Sequence, residues 1–337
     1  MPAVGEFDLI ERYFKRPTPR AALGVGDDCA LLQPVPGTQL AISSDMLVSG
    51  RHFFADVNPR HLGHKALAVN LSDLAACGAK PLAFTLALAL PQANEAWLAA
   101  FSDGLLALAD AHDCELVGGD TTQGPLNICI TVFGEVPVVD GRSQALLRCG
   151  AQAGDDLYVS GTLGDARLAL EVLQGSLALN LPDAVLAAAR LRLECPTPRV
   201  ALGQALRGVA TAALDVSDGL LGDLGHLLKP SRVGATVNVD IATSLIATHA
   251  YCKRARGQFG TEISADRWRH WALAGGDDYE LLFTAPADRR DAVAGAALAT
   301  LTPVTRIGHI DAEPGLRLVD AQGQAVANTF ASFDHFR

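Results

Sequence analysis

The residues best equipped for chemistry in this sequence are aspartates that recur in one setting. They follow small residues at Gly26-Asp27-Asp28, Ser43-Ser44-Asp45, Gly118-Gly119-Asp120, Asp215-Val216-Ser217-Asp218 and Gly275-Gly276-Asp277-Asp278. Taken singly, each segment reads equally well as a helix cap or an Asx-turn, because Asp and Ser side chains satisfy nearby backbone N–H groups. Five together are harder to dismiss. Carboxylate and hydroxyl oxygens suit Mg²⁺, which accepts one or two carboxylates and completes its octahedron with waters and substrate phosphates. Without a Cys or His ligand set beside them, the aspartates point to Mg²⁺ or Mn²⁺ and not to zinc. In an α/β sheet the loops after the strands gather at one edge, where ligands bind. The five segments are therefore expected to follow strands and to converge on one pocket.

Asp73 belongs with them. It lies in Lys65 to Cys77, a helix apolar on nearly every side, where a lone buried carboxylate is costly. Asn70 and Asp73 are three residues apart and share a face. That face either meets solvent or meets the metal cluster. Three familiar alternatives are absent. There is no Gly-Lys pair and so no P-loop, no G-x-G-x-x-G or H-R-D kinase loop, and no G-x-S-x-G nucleophile elbow.

Composition narrows the partners. The 337 residues carry 27 Lys+Arg against 37 Asp+Glu, a net charge of −10, and five of the basic residues are lysines with no basic run. Nucleic acid and anionic membrane are thereby poor partners. An anionic ligand such as a nucleotide requires recruited cations, because the field of the protein repels it. Mean hydropathy is +0.22, yet the most apolar stretch, Pro81 to Asn94, is broken by Pro91 and falls short of the roughly 20 residues that a membrane span needs. An acidic N-terminus (Glu6, Asp8, Glu11) does not suit a signal peptide. Seven scattered cysteines without a C-x-x-C are expected as reduced core residues of a cytoplasmic protein.

The elements that must position these residues alternate in type. Strands are expected at 39–43, 82–90, 115–117 and 127–136, and helices at 59–78 and 95–111. A connection rich in turn residues, 137–154, leads to a second α/β region. That region has strands at 156–160, 211–214, 236–241 and 280–284, and helices at 165–173, 182–194 and from 219 to about 229. Two domains follow, 1–140 and 150–337.

At these residues the sequence closely resembles the thiamine-monophosphate kinase family. That family sits in a superfamily with aminoimidazole ribonucleotide synthetase, selenophosphate synthetase and a hydrogenase maturation factor. The likeness rests on GEFDLIERYF at Gly5, GVGDDCALL at Gly24, AISSDMLVSGRHF at Ala41, KALAVNLSDLAACGAKP at Lys65, VGGDTTQGPL at Val117, ALDVSDGLLGDLGHLL at Ala213, AGGDDYELLF at Ala274 and FDHF at Phe333. The resemblance implies an N-terminal α/β domain that forms a β-barrel with its twin across a homodimer. It also implies a C-terminal α/β sandwich, with the site in a cleft between the domains. It assigns Mg²⁺ to Asp28, Ser43, Ser44, Asp45, Asp73, Asp120, Asp215 and Asp218, and ATP to Gly119, Asp120, Arg148 and Ser217. Thiamine monophosphate falls to His52, Asp277 and Phe330. One departure is visible: the family often has Glu where this chain has Asp277, so Asp278 or Glu280 could share that role. Without the resemblance, His52 reads as a surface residue, Phe330 as core and Arg148 as an exposed connector.

The implied reaction converts ATP and thiamine monophosphate to ADP and thiamine diphosphate. A phosphate monoester is already ionised at neutral pH, its second pKa being about 6, so no protein nucleophile or general base is expected. Rival readings are another ATP-using enzyme of the superfamily, a non-catalytic metal- or nucleotide-binding module, and a metal-dependent phosphatase.

Overall fold

The computed structural model describes residues 5–177, 181–254 and 263–330. The FDHF motif at Phe333 lies outside the described residues. The chain divides into two units. The first takes in the chain up to Leu74 and Ala79–Ala145, and the second Ala75–Gly78 and the chain from Leu146 onward.

In the first unit a short helix α1 (Glu6–Leu9) precedes β1 (Thr38–Val48), α2 (Pro59–Ala76), β2 (Lys80–Leu90), α3 (Glu95–Ala111), β3 (Glu115–Gln123), β4 (Asn127–Val139) and β5 (Arg142–Ser143). Pro59 opens α2 because its fixed φ suits the first turn, where its missing N–H costs nothing. Asn94 caps α3, accepting a hydrogen bond from Trp97 N. The two helices approach closely: a Cβ on Gly63 would lie 2.0 Å from Phe101 O, and one on Gly104 would lie 1.9 Å from Arg60 O. Leu67, Leu71, Leu98, Phe101, Leu105 and Phe84 are fully buried, and removing such a side chain from water stabilises by roughly 1.5–3 kcal/mol. The strand order is β1-β4-β2-β3, with β5 paired to β4. Only the β2–β3 pairing is parallel.

The second unit runs β6 (Asp156–Ser160), α4 (Asp165–Leu173), α5 (Asp183–Glu194), α6 (Val200–Ala205), β7 (Ala212–Asp215), α7 (Leu220–Ser231), β8 (Gly234–Asn238), α8 (Val239–Ser244), α9 (Ala247–Arg254), α10 (Ala265–Ala274), β9 (Leu281–Ala285), α11 (Arg290–Ala299), β10 (Val304–Asp311), β11 (Gly315–Val319) and β12 (Ala325–Val326). Its sheet has the order β12-β11-β8-β10-β6-β9-β7, parallel only between β8 and β11. Leu157, Val159, Leu214, Leu220, Leu224 and Leu282 form its main apolar core.

Five expectations need correction. The turn expected at Ser44-Asp45 is strand interior, because the ladder with β4 continues without a break from Thr38↔Pro137 to Val48↔Asn127. Likewise β3 runs through Gly118-Gly119-Asp120 to Gln123, held by β2. The strand expected at 236–241 stops at Asn238, whose side chain accepts from Asp240 N and Ile241 N and so starts α8. Both sheets are mainly antiparallel, so the rule that loops after strands share an edge does not bring the aspartates together. The connection at 137–154 also contains structure, since β4 and β5 form a hairpin around Asp140-Gly141, both at positive φ.

Of the seven cysteines only Cys114 is buried, where burial pushes its thiol up to about 12. Cys29 and Cys149 are exposed, and all seven are free thiols. Among the described residues no helix is long and apolar enough to cross a membrane, and the apolar stretch after Pro81 is β2.

Candidate functional site

In the first unit the site is built where α2 lies over β1. Successive strand residues face opposite sides, so Ser43 and Asp45 share one side and Ser44 takes the other. On the α2 side Ser43 Oγ donates to Asp73 Oδ2. Asn70 Oδ1 accepts from Asp45 N at 3.0 Å, while Asn70 Nδ2 donates to Ala66 O. Asn70 and Asp73 therefore do share a face, and it is the face toward β1. Asp45 and Asp73 are half-buried, and Asn70 is fully buried. Ser44 Oγ lies instead beside Thr131 Oγ1 at 3.0 Å and donates to Ile130 O. Its hydroxyl points away from Ser43 and Asp45, so that only its main chain is available on their side.

Asp120 stands apart from this pair. The register carries Met46 to Cys129, then Ala87, then Asp120, three strand spacings of about 4.8 Å each. Asp120 is exposed on edge strand β3, and Gly119 before it has φ +147°. A Cβ at Gly119 would lie 1.9 Å from Leu86 O, so β2 and β3 can pair here only around glycine. Asp28 is exposed in the loop before β1, where Asp28 N donates to Asp27 Oδ1. His52 is held in the turn after β1, its Nδ1 accepting from Val48 N at 3.0 Å. That bond assigns the proton of the neutral ring to Nε2.

In the second unit the antiparallel pairing of β7 with β9 sets Asp215 opposite Leu281. The segment leaving β7 and the segment entering β9 consequently run side by side. Asp277 N donates to Ser217 O, Tyr279 N to Val216 O, and Val216 N to Glu280 O, each at 2.8 Å. This brings the backbone that carries Asp215, Ser217 and Asp218 alongside the backbone that carries Asp277. Asp215 is buried; the other three are half-buried. Arg148 is exposed beside the outer edge of β7, where Ala213 N donates to Leu147 O. Phe330 packs on the main core of the unit.

Asp278 and Glu280 are both buried among donors of the protein itself. Glu280 is fully buried, and its carboxylate accepts from Ser160 Oγ, Arg192 Nη2, Arg199 Nε and Arg199 Nη2 at 2.6–2.8 Å. Asp278 is 2% exposed and accepts from Gly164 N through Oδ1. Burial holds its carboxyl well above the usual carboxylate range. Reading by sequence also missed Asp223, whose Oδ2 accepts from Ser217 N, Asp218 N and Gly219 N at 3.0–3.2 Å. Burial first, and the charge of Asp218 second, push it up to about 7. The usable signal was an Asp in the first turn of a helix that follows a Ser-Asp-Gly turn.

Residues 26–136 match the AIR synthase related protein N-terminal domain and residues 152–321 the corresponding C-terminal domain. The thiamine-monophosphate kinase of Salmonella typhimurium is 45% identical over 338 residues, 99% of each chain. The chain belongs to the thiamine-monophosphate kinase family. Two solved structures of that family are similar in fold. The thiamine-monophosphate kinase of Stenotrophomonas maltophilia superposes with a TM-score of 0.80 at 48% identity, covering 94% of this chain and 95% of that one. AaThiL complexed with AMPPCP and TMP gives 0.74 at 28% identity, covering 90% and 89%. The family's mixed α/β architecture accounts for the two sheets seen here.

The donor set suits a hard cation, being composed of carboxylates, hydroxyls and main-chain carbonyls. Among the described residues no three His, Cys, Asp or Glu side chains converge closely enough to cage a metal ion.

Proposed function

We propose that this chain transfers the γ-phosphoryl group of ATP directly to thiamine monophosphate, giving ADP and thiamine diphosphate. The observation that carries the proposal is similarity along the whole chain to thiamine-monophosphate kinases, one structural relative being complexed with AMPPCP and TMP. The oxygen-rich donor set agrees with it.

The difficulty of the reaction is electrostatic. Bringing a phosphate dianion to a nucleotide costs on the order of 4 kcal/mol for each unit-charge pair at 4 Å and an effective dielectric of 20, and several pairs are involved. In this reading Asp28, Ser43, Ser44, Asp45, Asp73 and Asp120 of the first unit, and Asp215 and Asp218 of the second, hold Mg²⁺, Ser44 through its carbonyl. Held by these residues, Mg²⁺ would supply the positive charge that offsets the repulsion between the two phosphate groups. Gly119, Asp120, Arg148 and Ser217 contact ATP. His52 offers a hydrogen-bond donor at Nε2 to the acceptor phosphate. Asp277 supplies negative charge and Phe330 an aromatic face for a flat thiazolium cation. The acceptor oxygen is already ionised, so no side chain needs to remove a proton.

A homodimer is part of the proposal. Leu40, Ile42 and Met46 leave one face of β1 exposed at 44, 60 and 52%. Apolar residues repeated along a strand face invite cover, and a second copy closing the sheet into a barrel would provide it. The division of labour between a first ATP- and Mg²⁺-binding domain and a second α/β domain, and a cytoplasmic location, belong to the same reading.

The test is incubation with ATP, Mg²⁺ and either thiamine monophosphate or free thiamine, with products separated by chromatography. One thiamine diphosphate per ADP, formed only from the monophosphate, is expected. ADP without that product, or protein-bound phosphate trapped by rapid quench with labelled ATP alone, would refute the direct transfer.

A further inference from the structure

Every backbone position from Asp277 to Glu280 is pinned. Asp277 and Tyr279 are held through their N–H groups by Ser217 O and Val216 O, and Glu280 through its carbonyl by Val216 N. Asp278 is held through its carbonyl by Arg192 Nη2 at 3.0 Å and through its side chain by Gly164 N. Side chains alternate along this stretch: Asp278 and Glu280 are buried, Asp277 and Tyr279 half-buried. The two half-buried residues are also the two in left-handed backbone, with φ of 60° and 50°. Such a conformation is uncommon for residues other than glycine and persists only where the surroundings over-determine it.

Arg192, on α5, is the side chain that ties this segment together. One nitrogen, Nη2, donates both to Asp278 O and to Glu280 Oε1, at 3.0 and 2.8 Å. Arg199, by contrast, spends both of its bonds, each 2.6 Å, on the Glu280 carboxylate. If Arg192 is lost, Glu280 keeps Arg199 and Ser160. What disappears without replacement is the bond to the carbonyl that lies between the two left-handed residues.

We propose that Arg192 is a positioning residue for acceptor recognition: by bridging Glu280 and the Asp278 carbonyl it fixes the segment that presents Asp277 beside Ser217. The inference rests on the reading of Asp277 as a contact to thiamine monophosphate. It assigns to Arg192 an effect on the acceptor and none on ATP.

Steady-state kinetics of Arg192→Met, Asp277→Asn and the double variant test it, with both substrates varied. Arg192→Met is expected to raise KM for thiamine monophosphate at least tenfold, with kcat and KM for ATP within twofold of wild type. Asp277→Asn is expected to raise the same KM, and the double variant to be no worse than the more severe single one. A normal acceptor KM in Arg192→Met, with a raised one in Asp277→Asn, overturns the positioning role alone. A normal KM in Asp277→Asn overturns the reading of Asp277 and the inference with it. Effects that multiply in the double variant, or a parallel rise in KM for ATP, also overturn it. Arg290→Met serves as control, because it breaks a comparable pair at buried Asp156 and should lower Tm while leaving the acceptor KM unchanged. A raised acceptor KM in this control would reduce the effect of Arg192 to general destabilisation and sink the proposal. Should Arg192→Met not fold, Arg192→Lys keeps the charge beside Glu280 but lacks a guanidinium fork, and carries the same expectation.

Discussion

Gly119 offers a quantitative check on how β3 carries Asp120. In Gly119→Ala the new methyl would sit 1.9 Å from Leu86 O, 2.6 Å from Leu86 C and 2.8 Å from Leu86 N. Ordinary contact begins near 3.4 Å, so the two strands must separate by about 1.5 Å at this point. No side-chain rotation relieves the clash, since every close atom belongs to the backbone of β2. Alanine must also hold a φ of +147°, which costs on the order of 1–3 kcal/mol. Adding one or two weakened ladder bonds at about 1 kcal/mol each, we expect a loss of about 2–5 kcal/mol in urea denaturation. Asp120 moves with the strand, and displacement of a reacting group by about 1 Å can lower kcat by roughly 100-fold. Gly118→Ala is the matched comparison, because its methyl would meet only Thr85 Cγ2, at 3.9 Å. A Gly119→Ala protein as stable and as active as Gly118→Ala would show that the close approach to Leu86 does not set the geometry of β3.

Three further outcomes are expected. Asp120→Asn should abolish turnover while the thermal unfolding curve stays within a few degrees of wild type, because Asp120 is exposed; substantial kcat at saturating Mg²⁺ would remove it from the site. Asp223→Ala strips the common acceptor from three backbone N–H groups and should cost about 2–3 kcal/mol in urea denaturation. Asp223→Asn, which keeps an acceptor oxygen, should cost less, and equal losses would count against the clamp. Asp156 is held at about 2, first by its hydrogen bond from Arg290 and further by Arg306. With an unfolded value near 3.9, its stabilisation is complete above about pH 4 and is lost as pH falls through about 2. The gap between wild type and Asp156→Asn, about 1–2 kcal/mol at pH 6 after allowing for the half-exposed arginines, should therefore shrink between pH 4 and pH 2. A gap that does not change with pH would refute the charge-based account.

Much of the fold was legible because it is local. Pro59 marks the start of α2, and apolar spacing marks α3, β2, β4 and β6. Asn70 and Asp73 share a face by helical period alone, a relation that needs no partner to be read. The ends of β1 and β3 were not legible, since a strand continues for as long as a neighbour offers hydrogen bonds. Those neighbours lie far away in sequence: β4 for β1 and β2 for β3.

The same division holds for the site. Residue type and spacing by themselves determined the inventory: oxygen donors without a soft ligand set, an acidic balance, and motifs specific enough to indicate the family. Only the tertiary structure decided which donors act together. Strand alternation on β1 separates the Ser44 hydroxyl from Ser43 and Asp45. The antiparallel β7–β9 pair joins Asp215, Ser217 and Asp218 to Asp277. Burial sets Asp278 and Glu280 among the protein's own donors, Arg192 and Gly164 included. Apart from Asp223, whose partners are local, the physical reason is shared: a residue's chemistry travels with its type, whereas its burial and its partners are set by chain segments distant in sequence.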